Sequence, residues 1–315
     1  MTPPRASAPT PFEPPHAGTT FEEPTAVSAP LPASGTVTPA ADCIADSAGG
    51  LTFDLDAPGA PDASGDWSAA LVLRLRGGGE ADEVRLPLAP GGEGRLRAVL
   101  PSTVALPEGR WDVHVACGDA APRRLRPGVD DLRALVDRRP GPGTSPLSVR
   151  IPYTTKHGNL SLRSWLRAPH AEAGDLRPEA AGLTVRGRLY RAPDAAAWLA
   201  GAVAEARCRR DADLVVTADL GPGEGQEFSF TLDWAKLTEH WRGGLDVWDL
   251  WLRPADGSGP ARLARILDDV VDKQQVFAYP VLPVDAGYAP ARATAAYDAD
   301  NDLVVRIDER PPAAS

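Results

Sequence analysis

Lysine and methionine are nearly missing from this chain of 315 residues, which has 3 lysines against 30 arginines and a single methionine, Met1. That imbalance marks a GC-rich coding sequence and carries no mechanism. Cysteine is scarce as well. Cys43, Cys117 and Cys208 lie far apart, are odd in number and form no C-x-x-C pair, so neither a zinc knuckle nor a disulfide framework is supported. The five histidines, His16, His114, His157, His170 and His240, contain no H-E-x-x-H or H-x-H pair, which leaves metal catalysis without a ligand set. No G-x-S-x-G elbow is present to expose a serine nucleophile. Neither G-x-G-x-x-G at a strand-to-helix turn nor G-x-x-x-x-G-K-[ST] is present, and no cofactor is implied. A basic excess is missing too. With a net charge of −10 and an isoelectric point near 5.0, the chain lacks the surface that neutralises nucleic-acid phosphates. No apolar run approaches the ~20 residues of a membrane helix. The start, Met1-Thr2-Pro3-Pro4-Arg5, leads into no apolar stretch of the ~7–15 residues a secretory signal needs, so a reduced, cytoplasmic protein is expected.

Proline is plentiful, at 33 residues, and ten of these fall in the first forty positions. Residues 1–48 hold few large apolar side chains to offset the entropy of ordering, which predicts a disordered tail. Regular patterning starts at Leu51-Thr52-Phe53. A second break, from Ala168-Pro169-His170 to Arg177-Pro178, reads as a linker.

The segments on either side of that linker resemble each other. Leu51-Thr52-Phe53 is echoed by Leu183-Thr184-Val185, and Pro61-Asp62-Ala63 with Trp67 by Pro193-Asp194-Ala195 with Trp198. Gly92-Glu93-Gly94 is echoed by Gly223-Glu224-Gly225, and Trp111-Asp112-Val113-His114-Val115 by Trp248-Asp249-Leu250-Trp251-Leu252. Arg124-Leu125 with Asp130-Asp131 is echoed by Arg262-Leu263 with Asp268-Asp269. Tyr153 followed by Asn159-Leu160 is echoed by Tyr297 followed by Asn301 and Leu303. Matches in one order predict a tandem duplication of a unit of ~110–130 residues, the size of a domain.

Within each unit the hydrophobic period is two. Trp111, Val113 and Val115 share one face with Asp112 and His114 on the other; Trp248, Leu250 and Leu252 oppose Asp249 and Trp251. Leu71, Leu73 and Leu75 alternate with Val72, Arg74 and Arg76, and Phe228, Phe230 and Leu232 alternate with Ser229 and Thr231. Ala195–Arg210 scores as helix by propensity. Alignment on Trp67 and Trp198 instead makes it a strand, with Ala202, Ala204, Ala206 and Cys208 inward and Glu205, Arg207 and Arg209 in water. A short helix is expected over Asp233–Trp241, capped by Asp233, with Trp234, Leu237 and Trp241 on one face. The expected fold is all-β: two tandem immunoglobulin-like β-sandwiches at 49–167 and 183–310, joined by a linker at 168–182, with tails at 1–48 and 311–315.

Candidate chemistry is thin. Asp130-Asp131 and Asp268-Asp269 recur, but adjacent carboxylates diverge, which favours capped or solvated pairs beside Arg124, Arg126, Arg262 and Arg265. Gly221-Pro222-Gly223-Glu224-Gly225 lies between strands with no helix dipole to hold a phosphate. Trp111 and Trp248 belong to the core. Trp251 takes the opposite face, where the first unit has His114; with Trp234 and Trp241 it forms either an aromatic platform for sugar rings or a packing surface. Around Tyr153, a turn at His157-Gly158-Asn159 leads into a strand alternating Leu160 and Leu162, with Gly158 free to take positive φ.

The string Tyr153-Thr154-Thr155-Lys156-His157-Gly158-Asn159-Leu160-Ser161-Leu162 resembles stretches in β-rich accessory modules of actinobacterial surface-polymer proteins, beside teichoic-acid-type glycosyltransferase and glycerophosphotransferase domains. The second unit departs from it, since Tyr297-Asp298-Ala299-Asp300-Asn301-Asp302-Leu303 lacks the Lys-His-Gly element. The resemblance implies association with transferases of glycan or polyol-phosphate polymer synthesis and supplies no catalytic residue to carry over. Three readings are carried: a non-catalytic accessory protein binding a glycan or a partner transferase, a transferase using His157 or a paired carboxylate, and a structural adaptor using an exposed sheet edge or the acidic surface. Candidate ligand contacts are Tyr153, His157, Asn159, His114, Trp234, Trp241 and Trp251, with no metal site.

Overall fold

A computed structural model describes residues 38–56, 69–79, 81–92, 94–136, 138–141, 143 and 145–309. The expected tail at 1–37, the Pro61-Asp62-Ala63 and Trp67 matches and the end at 311–315 lie outside the described residues.

The chain is nearly all strand. Its first part runs through β1 (Ala40–Ala45), β2 (Leu51–Asp56), β3 (Ala69–Leu75), β4 (Glu83–Pro87), β5 (Ala89–Gly92) and β6 (Arg95–Leu100). There follow β7 (Gly109–Cys117), β8 (Arg123–Arg124), β9 (Arg126–Asp131), β10 (Leu147–Thr154) and β11 (Leu160–Arg167). The second part has β12 (His170–Pro178), β13 (Gly182–Tyr190), helix α1 (Ala195–Leu199), β14 (Val203–Cys208), β15 (Val215–Asp219) and β16 (Glu227–Asp233). It closes with helix α2 (Trp234–Thr238), β17 (Asp246–Arg253), β18 (Ala261–Ala264), β19 (Leu282–Asp285), β20 (Pro290–Tyr297) and β21 (Leu303–Glu309).

One sheet of the first part has the order β5-β6-β2-β1-β9, and the other β10-β11-β7-β3-β4 with β8 beside β7. Buried side chains from both, among them Phe53, Leu71, Trp111, Val149 and Trp165, form one core. In the second part β16-β13-β12-β18 runs in the order of β6-β2-β1-β9, and β20-β21-β17-β14-β15 in the order of β10-β11-β7-β3-β4. Even the parallel pairs correspond, β1 with β9 and β12 with β18. A second core gathers Trp198, Phe230, Trp234, Trp241, Trp248 and Tyr297. Tyr190, Ala264, Ile266 and Leu267 of the second part pack into the first core, so apolar contact is continuous between the parts.

The period-two faces fall as expected on β7, β16 and β17, where Trp111, Val113, Phe228, Phe230, Trp248, Leu250 and Leu252 are buried. Val72 is buried too, although it faces away from Leu71 and Leu73; in register it lies between Arg85 and His114.

Three expectations need correction. The segment read as the end of the tail contains β1, whose alternating Ala41, Cys43 and Ala45 are small enough to escape notice yet are buried between β2 and β9. The segment read as a linker is β12, which pairs with β13 and β18 and buries His170, Ala171 and Ala173. Ala195–Arg210 is split. Its alanine-rich start keeps the helical preference as α1, with Asp194 Oδ1 accepting from the Ala197 N–H at 3.0 Å, before Gly201 turns the chain into β14. Ala202, Ala204, Ala206 and Cys208 point inward as expected, but Glu205 is buried rather than solvated, held by Arg207 and Arg253. The helix expected over Asp233–Trp241 forms as α2, capped by Asp233, but ends at Thr238, and Trp241 is buried beyond it.

Candidate functional site

The turn between β10 and β11 places Tyr153, His157 and Asn159 on one cleft of about 730 Å³. Thr155 organises the turn. Its N–H donates to the Asn159 carbonyl at 2.9 Å, its carbonyl accepts from Gly158 at 2.8 Å, and its Oγ1 accepts from the Asn159 N–H at 3.2 Å. Gly158 takes φ 73° with nothing near a would-be Cβ, so glycine is required here for backbone conformation and not for space.

Neighbouring strands supply the rest of this wall. Arg110 and Asp112 come from β7, Arg124 from β8, Arg163 from β11, and Arg76 from just beyond β3, where its N–H donates to the Arg110 carbonyl at 2.9 Å. The opposite wall is Val271, Asp272 and Ala299 of the second part. It is fixed by the β20–β21 turn. Asn301 takes φ 61° there and is fully buried, accepting from the Lys273 N–H at 3.1 Å. Arg163 bridges to Asp300 at 2.6 Å, Trp165 Nε1 donates to the Asp300 carbonyl at 3.0 Å, and Arg110 reaches the Ala299 carbonyl at 3.1 Å.

Charge is what distinguishes the cleft. Five cationic side chains, Arg76, Arg110, Arg124, Lys156 and Arg163, line it together with His157, against only Asp112 and Asp272. Burial pushes the Asp112 carboxyl up, but hydrogen bonds and charge from Arg76 and Arg124 outweigh it and hold the group below the usual carboxylate range. For Arg76 the sign is mirrored. Burial pulls it down, while Asp112 and the Tyr153 hydroxyl beside it raise it above the usual value. These groups stay charged at neutral pH, and the cleft can attract and hydrogen-bond an oxyanion through guanidinium forks. Thr154, Thr155 and Asn159 add neutral hydrogen-bonding groups along the same rim.

The remaining expected contacts are elsewhere. His114 is half-buried beside Arg124 on β7, with Nδ1 3.3 Å from the Asp112 carbonyl, and does not line the cleft. Burial first, and then the charge of Arg124, lower its pKa below 6.5. Trp234 and Trp241 offer no face to a ligand; both are core residues, their indole N–H groups donating to the carbonyls of Glu179 at 2.8 Å and Gly244 at 3.0 Å. Trp251 is only half-buried, but guanidiniums cover it: Arg207 lies 4.8 Å and Arg262 4.7 Å from the ring centroid. The aromatic platform therefore does not form. The paired carboxylates diverge as expected, Asp130 beside Cys43, Asp131 on Arg133, and Asp268 on Arg265 and Lys273. Among the described residues no group of three or more His, Cys, Asp and Glu side chains could hold a metal ion, and no helix is long and apolar enough to cross a membrane. Sequence reasoning missed Arg76, Arg110 and Arg163; Arg76 follows β3, Arg110 lies on β7 and Arg163 on β11, and only the pairing of these strands brings them together.

No family model and no curated protein matches the chain. Among solved structures it is similar to residues 217–571 of S. aureus TarS, at 13% identity and TM-score 0.28, over 72% of this chain and 62% of that one. A second S. aureus TarS structure is similar at 13% identity and TM-score 0.28, over 61% of this chain and 35% of that one. A marsupial T cell receptor is similar at 6% identity and TM-score 0.27, over 85% of this chain and 90% of that one. Likenesses this loose transfer neither a site nor an activity.

Proposed function

We propose that the protein is a non-catalytic binding component of surface-polymer synthesis that holds a phosphate-bearing polyol chain in the cleft between its two parts. The observation that carries the reading is the concentration of five cations against two lining carboxylates, with Arg163 also held by Asp300, on one cleft of a chain whose net charge is −10. A general anion-binding surface would spread its charge, whereas this one gathers it beside hydroxyl and amide groups suited to a polyol. The shared strand order of the two parts supports their being copies of one unit. Where the second copy carries Asp298, Asp300 and Asp302 and docks on the first, the first carries Lys156 and His157, which leaves its turn free to face the cleft. The resemblance of the Tyr153–Leu162 string to modules beside teichoic-acid-type transferases supports the same assignment.

Calorimetric titration of the full chain with a defined glycerol phosphate oligomer tests it. Binding is expected, weakening as salt rises from 50 to 300 mM because the Debye length shrinks to below about 10 Å. A neutral glycan of equal length is expected to give no heat. Absence of oligomer binding at low salt would remove the reading, and turnover of a nucleotide-activated donor would replace it with a transferase.

A further inference from the structure

One carboxylate oxygen in the cleft has three close polar partners. Asp112 Oδ1 accepts from Arg76 Nε at 2.7 Å and from Ser161 Oγ at 3.1 Å, and forms an ion pair with Arg124 Nη1 at 2.6 Å. Ser161, fully buried, is the second hub: its Oγ accepts from Arg76 Nη2 at 2.8 Å and from Arg124 Nη2 at 3.1 Å. Arg124 Nη2 also reaches the Leu160 carbonyl at 3.0 Å. Two guanidiniums that would repel one another are thereby held side by side, and one carboxylate cannot neutralise both. Arg76 stays 40% exposed on the cleft side, so part of its fork is open to solvent.

Resting on the reading that the cleft holds a phosphate-bearing chain, we propose that Asp112 is its positioning residue, fixing the exposed fork of Arg76 to receive one phosphate group while Arg124, whose Nε and Nη1 are buried and whose Nη2 is bonded to Leu160 and Ser161, lends its charge from behind. Asp112 does this at an electrostatic cost, because its own negative charge opposes the ligand. The cost makes the role measurable. If Asp112 only tempered the charge of the cleft, removing that charge would tighten binding. If it positions Arg76, removal loosens binding in spite of the gain in positive charge, because that guanidinium must then be ordered by the ligand itself.

The experiment titrates a glycerol phosphate oligomer into wild type, Asp112→Asn, Ser161→Ala and Arg124→Gln, with thermal unfolding of each as the check on folding. Asp112→Asn is expected to weaken binding about tenfold, the scale of one charge-assisted hydrogen bond. Ser161→Ala changes no charge; it is expected to weaken binding while leaving the salt dependence at its wild-type slope. Arg124→Gln should weaken binding and flatten that slope. Equal or tighter binding by a folded Asp112→Asn overturns the positioning role and leaves the cleft reading standing. An unchanged affinity in both Ser161→Ala and Arg124→Gln also overturns it. Failure of the wild-type chain to bind removes the function reading, and this one with it.

Discussion

Arg167 on β11 donates a hydrogen bond of 2.8 Å to the carboxylate of Asp302, which is 1% exposed and lies on the second part of the chain. Arg262 reaches the other oxygen of the same carboxylate at 2.6 Å, and Glu108 holds the far side of Arg167 at 2.8 Å. Burial pushes the Asp302 carboxyl up, and the two guanidiniums oppose that shift. The network lies on the same contact as Arg163–Asp300 and the Trp165 indole, and so fixes one cleft wall against the other. Asp302→Ala leaves Arg167, only 12% exposed, with Glu108 alone of its two carboxylates. Breaking one side of a buried pair costs about 3–5 kcal/mol; here a loss below that range, about 2 kcal/mol, is expected, since Glu108 still holds Arg167 and Arg262, 34% exposed, can turn to water. Urea unfolding measures it, and a loss under about 1 kcal/mol would mean that the Asp302 network adds little to the contact between the parts.

Trp248 is the second test. It is 1% exposed on β17, within the core that includes Trp198, Phe230 and Tyr297. Truncating a buried aromatic removes both transfer free energy and packing contacts, so Trp248→Ala should cost about 3–5 kcal/mol. A thermal midpoint equal to wild type would show that the strand's faces are reversed from those described.

Trp248 was legible because alternation on β17 is strict: Trp248, Leu250 and Leu252 all face inward. Other parts of the fold hid for identifiable reasons. β1 buries Ala41, Cys43 and Ala45, side chains too small to register against a proline-rich background. Glu205 looked solvated because alternation reports which face a residue takes and not what covers that face; Arg207 and Arg253 cover it. The same blind spot explains Trp251, whose outward position was right and whose rings are nonetheless capped by Arg207 and Arg262. The turn at His157-Gly158-Asn159 could be read directly, since its chemistry is local. The cleft could not. Arg76, Arg110, Arg124 and Arg163 converge only through the pairing of β3 with β7, β7 with β8 and β7 with β11, which no local pattern encodes.

The pH dependence of folding should separate into two windows. His114 is half-buried on β7, and burial, then the charge of Arg124, lower its pKa from 6.5, with Arg74 adding to the shift and Asp112 opposing it. The folded chain therefore binds fewer protons at His114 than the unfolded chain does in the interval just below pH 6.5. Its contribution to stability is full above that pH and is lost as pH falls through the folded value. Asp112 and Asp54 are carboxyls held below 3.8 in the fold: for Asp112 the Arg76 and Arg124 interactions exceed the cost of burial, and for Asp54 the Arg97 hydrogen bond leads. Their contribution persists until pH falls below about 4. Thermal unfolding between pH 7.5 and 5 is expected to show a decline in wild type that His114→Gln flattens, while below pH 4 the two proteins change alike. A decline of the same size in His114→Gln between pH 7.5 and 5 would assign that window to another group and remove His114 from the pH response.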